Sequence, residues 1–472
     1  MSINKLELEP AILTIFGITG DLARRYLLPA MYQLAHNNLL PTTFKIVGVT
    51  RQALTTADII KSFQKSLETA GIKYIPSTLA KLEASLAVVS MDITDKDEYV
   101  RLKTELDAIE DNVGQCLHRL FYLSIPSTVY GPIVTRLGEH GLNHGCQHGS
   151  TDSRLLIEKP FGYDLRSAED LIKDLSHSFT EDQIYRIDHY LAKETVQNIL
   201  TFRANNPLFQ AVWNNGHISK IVITAAEAIG IEGRSTFYEP IGALRDIIQS
   251  HLLQIAALVT MDMPSRLSAE SIHAARADLL NVLQPPKPDE MVTKTIRGQY
   301  DSYRQETNNP DSSTETFAAI EFEINNDTWR GVPLVVQTGK KLVHKNSEVM
   351  IAFKSSVGHK TTNYLTFRLQ PNEGVALDLV IKRPGFEAET EPVKMEFDYH
   401  GLEAEHPDAY ERVLVDAMRG DKTLFATSDE VLASWRAVQP ILDAWQHEQV
   451  PLHTYTSGSA GPDAADKLVA KS

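Results

Sequence analysis

Two rhythms of apolar residues alternate along the N-terminal part of the chain. "AILTIF" (11–16) is an unbroken apolar run that stops at Gly17, and "DLARRYLLPAMYQLAHNNLL" behind it repeats its apolar residues at helical spacing, which predicts strand, turn, helix. "FKIVGVT" (44–50), "LAVVSMDI" (86–93), "HRLFYLSI" (118–125) and "SRLLIEKPFG" (153–162) read as four further buried strands with helical patterns between them. Strands that alternate with helices predict a parallel sheet covered on both faces.

From about residue 189 the pattern changes. "ISKIVITAAEAIGI" reads as a strand and "IGALRDIIQSHLLQIAALVTM" as a long helix. "TFAAIEFEIN", "VPLVVQTGK", "EVMIAFK", "NYLTFRLQP" and "GVALDLVIKRPG" then follow one another without helices, as strands of an antiparallel sheet do. "HPDAYERVLVDAMRGD" and "SDEVLASWRAVQPILDAWQH" return to helical spacing, and the tail "TSGSAGPDAADKLVAKS" is small, polar and expected to be mobile at its end. The expected division is therefore 1–188, an α/β domain with a parallel sheet, and 189–472, a larger α+β domain.

Composition narrows the function. With 46 basic against 61 acidic residues the net charge is −15, which repels nucleic acid and anionic membrane surfaces, so an anionic ligand needs a local basic cluster. No apolar stretch reaches the roughly 20 residues that span a bilayer, and the N-terminus lacks a basic leader. Two cysteines, Cys116 and Cys146, cannot build a disulfide framework, and their scarcity fits a reducing cytoplasm. His140, His144, Cys146 and His148 could all donate to zinc, but the glycines among them make a flexible connection, and no metal is expected.

The candidate chemistry lies at the ends of the predicted elements. Gly17-Ile18-Thr19-Gly20-Asp21-Leu22-Ala23-Arg24 joins the first strand to the first helix, where glycines let the backbone approach a pyrophosphate and helix-start N–H groups face its charge. Thr19 stands where the usual dinucleotide pattern has its second glycine. Arg51, just past the second strand, favours a 2′-phosphate and hence NADP, or is plain surface charge. In "EKPFG", proline stops the ladder and presents Lys159 at the carboxyl edge, or Lys159 is an ordinary turn lysine.

"YRIDHYLAKE" (185–194) concentrates titratable groups. If the chain turns helical near His189, His189 and Lys193 stand four apart on one face and can converge on a phosphate, while Asp188 can receive a hydrogen bond from a histidine. In "GALRDIIQSHLLQ", Asp246 and His251 are five apart, about 140° around an α-helix, able to face one broad cavity but not to stack. Glu227 sits in an apolar strand, and Lys340 and Lys345 follow another.

Together, "GITGDLARR", "LFYLSIPSTVY", "IEKPFG", "RIDHYLAKETVQN", "GALRDIIQSH", "VPLVVQTGK" and "YERVLVDAMRGD" resemble the landmarks of the glucose-6-phosphate dehydrogenase family, in its order and spacing. The resemblance implies an α/β Rossmann-type parallel-sheet domain followed by a larger α+β domain with a mainly antiparallel sheet used for dimerisation. It implies oxidation of glucose 6-phosphate to the lactone with hydride transfer to NADP, the first step of the oxidative pentose phosphate pathway, in a cytoplasmic homodimer or homotetramer. Carried over by position, Gly17 through Arg24, Arg51, Tyr130 and Lys159 would line the NADP site, with Lys159 also touching the sugar. His189, Tyr190 and Lys193 match the phosphate-binding segment; Glu227, Asp246, Lys340 and Lys345 match other substrate contacts. His251 matches the catalytic base and Asp188 its carboxylate partner. The alternatives are another NADP-dependent sugar oxidoreductase with an "EKP" turn, and a non-catalytic NADP-sensing protein.

Overall fold

β-branched and aromatic runs become the strands and the periodic stretches become helices around them, in a computed structural model that describes residues 8–146, 151–355, 362–399 and 407–469. The chain forms two compact units: Met1–Gly162 with Arg166–Ala192 and His406–Ser428, and Tyr163–Leu165 with Lys193–Glu405 and Asp429–Ser472.

In the first unit β1 (Ala11–Phe16), β2 (Phe44–Thr50), β3 (Leu86–Ser90), β4 (His118–Leu123), β5 (Ser153–Glu158) and β6 (Ile184–Ile187) are parallel, in the order β3-β2-β1-β4-β5-β6. This is the doubly wound nucleotide-binding order, whose direction reverses between β1 and β4. The predicted five-strand sheet thus gains a sixth strand that was not foreseen. A seventh, β16 (Phe425–Ala426), joins antiparallel to β6. It belongs to a segment far along the chain, anchored by side chains of the sheet: Arg154 donates to the carbonyls of Ala417 (2.6 Å) and Met418 (2.8 Å), and Phe425 meets Tyr185 edge to face at 4.8 Å. Leu13, Ile15, Met31, Leu120, Leu156 and Leu414 lie in one buried cluster of this unit.

Cys116 and Cys146 are joined as a disulfide, Cα atoms 5.5 Å apart, linking the segments that lead into β4 and β5. One pair is not a framework, but the two residues are a cross-link, which removes Cys146 from any zinc set; His148 lies outside the described residues.

The second unit is built on a ten-stranded sheet. Its strands are β7 (Ile218–Ala226), β8 (Leu283–Gln284), β9 (Thr295–Tyr300), β10 (Phe317–Ile324), β11 (Leu334–Gly339), β12 (Asn346–Phe353), β13 (Tyr364–Gln370), β14 (Gly374–Lys382), β15 (Thr390–Asp398) and β17 (Leu452–Tyr455). The main path runs β15-β14-β13-β12-β7-β11-β10-β9-β17, and β8 pairs only with β10. The antiparallel expectation holds for most of these pairs but not for β7/β11 and β9/β17, which are parallel. β9, β15 and β17 have weak strand patterns and become strands through their neighbours. In the tail, Ala465 and Leu468 are buried in one cluster with Tyr300, Phe317 and Tyr455, and the mobility expected of its end falls on residues outside the described ones.

Candidate active site

Gly17 follows β1 at the point where the strand order reverses. Its φ is +81°, and a Cβ there would lie 2.6 Å from the Ser124 carbonyl oxygen just beyond β4, so only glycine fits. The Gly17 N–H donates to Val49 O (3.0 Å), and Gly20 N–H donates to Gly17 O (2.8 Å), closing a tight turn into the helix that begins at Asp21. Ile18 and Ala23 are buried in the core, so they can offer a ligand only their main chain; Asp21 and Arg24 are exposed, and Asp21 accepts from Arg25 at 2.9 Å. That helix becomes π-helical over Ala23–Leu27, ending two residues before Pro29, which has no N–H to give the preceding turn. The arrangement fits a dinucleotide: a cradle that a single methyl would fill, opening onto a helix start. Hydrogen bonds from Thr94 hold the Asp92 carboxyl below its usual range, and Arg51, exposed just past β2, lies close enough to lower it further.

Tyr130 is fully buried, its hydroxyl donating to the carbonyls of Leu123 (3.3 Å) and Glu158 (3.2 Å), so it ties together the carboxyl ends of β4 and β5. Lys159 follows directly and is half-buried. Beyond β6, residues 189–192 form turns instead of the expected helix. Asp188, 4 % exposed, takes the main-chain N–H of Tyr190 on Oδ1 (2.9 Å), and the Leu191 N–H donates to Asp188 O (3.1 Å). A short carboxylate offering a local turn outcompetes the helical ladder here. The His189 ring lies 5.0 Å from that of Tyr190 and stacks on Tyr410 at 6.4 Å. The helix starts only at Glu194, with Lys193 as its extended N-cap residue; Lys193 Nζ donates to Gln370 Oε1 at 3.1 Å. The four-residue helical spacing of His189 and Lys193 is thereby corrected.

On the second unit, Glu227 and Lys340 sit just past the ends of the parallel pair β7 and β11, where Ala226 is opposite Gly339. Lys340, 4 % exposed, donates Nζ to Glu227, stands 4.0 Å from Asp246 Oδ2 and lies over the Tyr238 ring at 5.0 Å. Lys345 is exposed in the loop before β12. The segment carrying Asp246 and His251 is a π-helix, Leu244–Leu252, continued by an α-helix, Leu253–Thr260. The 140° separation expected for an α-helix is therefore corrected: an i→i+5 ladder returns residues five apart to nearly the same side.

This helix is held at both ends. Glu315, buried and raised above the usual carboxylate range by its burial, accepts the Leu244 N–H at 3.0 Å. At the other end Arg203 donates to Leu258 O (2.8 Å) and Met261 O (2.7 Å), Trp213 to Val259 O (2.8 Å) and Trp329 to Thr260 O (2.6 Å). Two indoles and a guanidinium thus satisfy carbonyls that a helix end leaves open, and His251, fully buried, has a fixed platform. Sequence reading missed Glu315 and Glu158, because the partners that give them meaning are distant in sequence.

A glycine-cradled parallel-sheet unit and a sheet unit with a fixed carboxylate–lysine cluster and a platform-mounted histidine define a two-domain nicotinamide-dependent oxidoreductase. Residues 14–198 match the NAD-binding domain and residues 200–472 the C-terminal domain of glucose-6-phosphate dehydrogenase. The chain is 40% identical over 487 residues to glucose-6-phosphate 1-dehydrogenase of Aggregatibacter actinomycetemcomitans, covering 99% of this chain and 97% of that one. It is 38% identical over 488 residues to that of Treponema pallidum, covering 98% and 93%. A solved glucose-6-phosphate dehydrogenase in complex with its substrate glucose-6-phosphate superposes with a TM-score of 0.91 at 31% identity, covering 98% of both chains. The chain belongs to the glucose-6-phosphate dehydrogenase family.

Proposed function

We propose that the protein oxidises glucose 6-phosphate at C1 to 6-phosphoglucono-1,5-lactone with NADP as acceptor. The observation that carries this reading is the Glu227–Lys340–Asp246 cluster on the unit that also bears His251: fixed donors and acceptors of the kind sugar hydroxyls require, in a chain of this family. Bound NADP supplies the hydride acceptor. Gly17 through Arg24 would hold its pyrophosphate end and Arg51 its 2′-phosphate, Lys159 would lie near the nicotinamide, and Tyr130, buried, would back the site by tying the ends of β4 and β5 together. The first unit, most of 1–188 with the returning segment His406–Ser428, serves as the coenzyme domain, and the rest of 189–472 as the substrate and dimerisation domain.

In this reading His189, Tyr190 and Lys193 bind the sugar's phosphate, Glu227, Asp246 and Lys159 contact the sugar, and Lys340 and Lys345 are further basic contacts to the substrate. His251 takes the anomeric proton, and Asp188 steadies the imidazolium, the role a carboxylate plays beside a catalytic histidine in hydrolase triads. Binding at the non-reacting end orients C1, which contributes roughly 7–11 kcal/mol in favourable cases.

Assembly as a homodimer or homotetramer is supported by β15, an exposed nine-residue edge strand whose Met395 and Phe397, with Ile381 on β14, expose apolar surface. A cytoplasmic setting is supported by the low cysteine content, two in 472 residues; the Cys116–Cys146 disulfide weighs against it. NADPH absorbance, recorded with glucose 6-phosphate or glucose and with NADP or NAD, tests the assignment. Reduction of NADP by the phosphorylated sugar is expected; its absence sinks the reading.

A further inference from the structure

Glu158 is a buried carboxylate at the ligand edge of the parallel sheet, and the reaction described above gives it no role. It ends β5 and is 6 % exposed. From β4, the fully buried Tyr122 donates its hydroxyl to Glu158 Oε1; from the helix Ala409–Arg419, Tyr410 donates to the same carboxylate. The Tyr130 hydroxyl donates to the main-chain carbonyl of Glu158 at 3.2 Å. Three phenols from three elements therefore grip residue 158, side chain and backbone alike. Their mutual hydrogen bonds satisfy these buried polar groups and hold residue 158 in one place.

What it fixes follows from the register. The next residue is Lys159, and opposite Glu158 in β6 stands Ile187, immediately before Asp188. The place of Glu158 thus decides where Lys159 and Asp188 leave the sheet. The groups facing it are Tyr122 on β4, Lys159 on its own strand end, Asp188 past β6 and Tyr410 on the helix. Tyr26 stacks on Tyr410 at 4.9 Å and the His189 ring on Tyr410 at 6.4 Å.

We propose that Glu158, clamped by Tyr122 and Tyr410, is a positioning residue for the reaction: it sets the sheet edge from which Lys159 and Asp188 project, and its charge sets the field in which they act. The inference rests on the proposed roles of those two residues. Burial pushes the Glu158 carboxyl up to about 7, Asp188 adding to the rise, while the Tyr122 hydrogen bond, Lys159 and the Tyr410 hydrogen bond oppose it. Above that value Glu158 is an anion beside Lys159 and Asp188; below it that charge is gone.

Infrared difference spectra of the whole protein, with pH profiles of kcat and KM, test this in Glu158→Gln and Tyr122→Phe. A protonated-carboxyl band should grow as pH falls through about 7, vanish in Glu158→Gln, and shift to higher pH in Tyr122→Phe, which lacks a donor to the anion. Glu158→Gln should lower kcat by about ten- to a hundredfold, as small misplacements of reacting groups do, with KM for both substrates little changed. The kcat profile of Tyr122→Phe should move with the band. A folded Glu158→Gln with unaltered kcat and profile, or a Tyr122→Phe profile that ignores the band, overturns the proposal; so does a band that does not titrate in this range. If Glu158→Gln does not fold, Tyr122→Phe decides alone. The band is read without turnover, so a wild-type chain inert towards glucose 6-phosphate overturns the functional reading and leaves the Glu158 titration measurable.

Discussion

Asp246 and His251 lie five residues apart on one π-helix, Leu244–Leu252, and the i→i+5 ladder, seen where the Leu253 N–H donates to Ile248 O, brings them towards a common side. With Lys340 4.0 Å from Asp246, the cluster of substrate-type groups is tied to the same rigid element as the histidine, pinned by Glu315 at its start and by Arg203, Trp213 and Trp329 beyond its end.

His251→Asn should lower kcat by about 10²–10⁴-fold, the usual contribution of a positioned base, while glucose 6-phosphate still binds. Steady-state NADPH formation and equilibrium substrate binding check it. Loss of binding with normal residual turnover would remove His251 as the base.

Lys193→Ala should weaken glucose 6-phosphate binding by the roughly 1.5–3 kcal/mol of a charge-assisted hydrogen bond and leave NADP affinity near wild type. Titration of each ligand separately distinguishes this from a folding defect, which weakens both.

Gly17→Ala puts a methyl against the Ser124 carbonyl at a left-handed φ of +81°. A strained residue of this kind costs on the order of 1–3 kcal/mol, and relief requires the turn to open. Thermal unfolding should fall accordingly and NADP affinity with it. A Gly17→Ala variant that binds NADP normally would show that the coenzyme does not use this turn.

Burial alone would raise the Asp152 carboxyl, but it accepts hydrogen bonds from His118 and, at 3.0 Å, from Arg154; these partners outweigh the burial and hold it at about 2, against 3.8 unperturbed. Because the folded value is the lower, the stabilisation is present above 3.8 and is lost as pH falls towards 2. Asp152→Asn should flatten that acid limb of the melting temperature while changing little at neutral pH beyond a constant offset. Half-exposure of the carboxylate keeps the effect small. An acid limb identical to wild type would mean that other carboxylates dominate it.

The amino-acid sequence by itself determined what depends on neighbours along the chain. The apolar runs of β1, β2, β4 and β5 and the glycine turn after β1 are set by local burial pattern and local backbone freedom, so they were legible, as were the residue types from Glu227 to Lys345 that match the family. Tertiary structure decided what depends on groups remote in sequence. β6 and β16 become strands because an edge exists to receive them, and Lys193 caps a helix instead of continuing one because Asp188 closes a turn first. Glu158 acquires its character from Tyr122 and Tyr410, 36 residues upstream of it and far downstream. Hydrogen bonds and desolvation act through space, and no periodicity along the chain records which distant side chain will meet which.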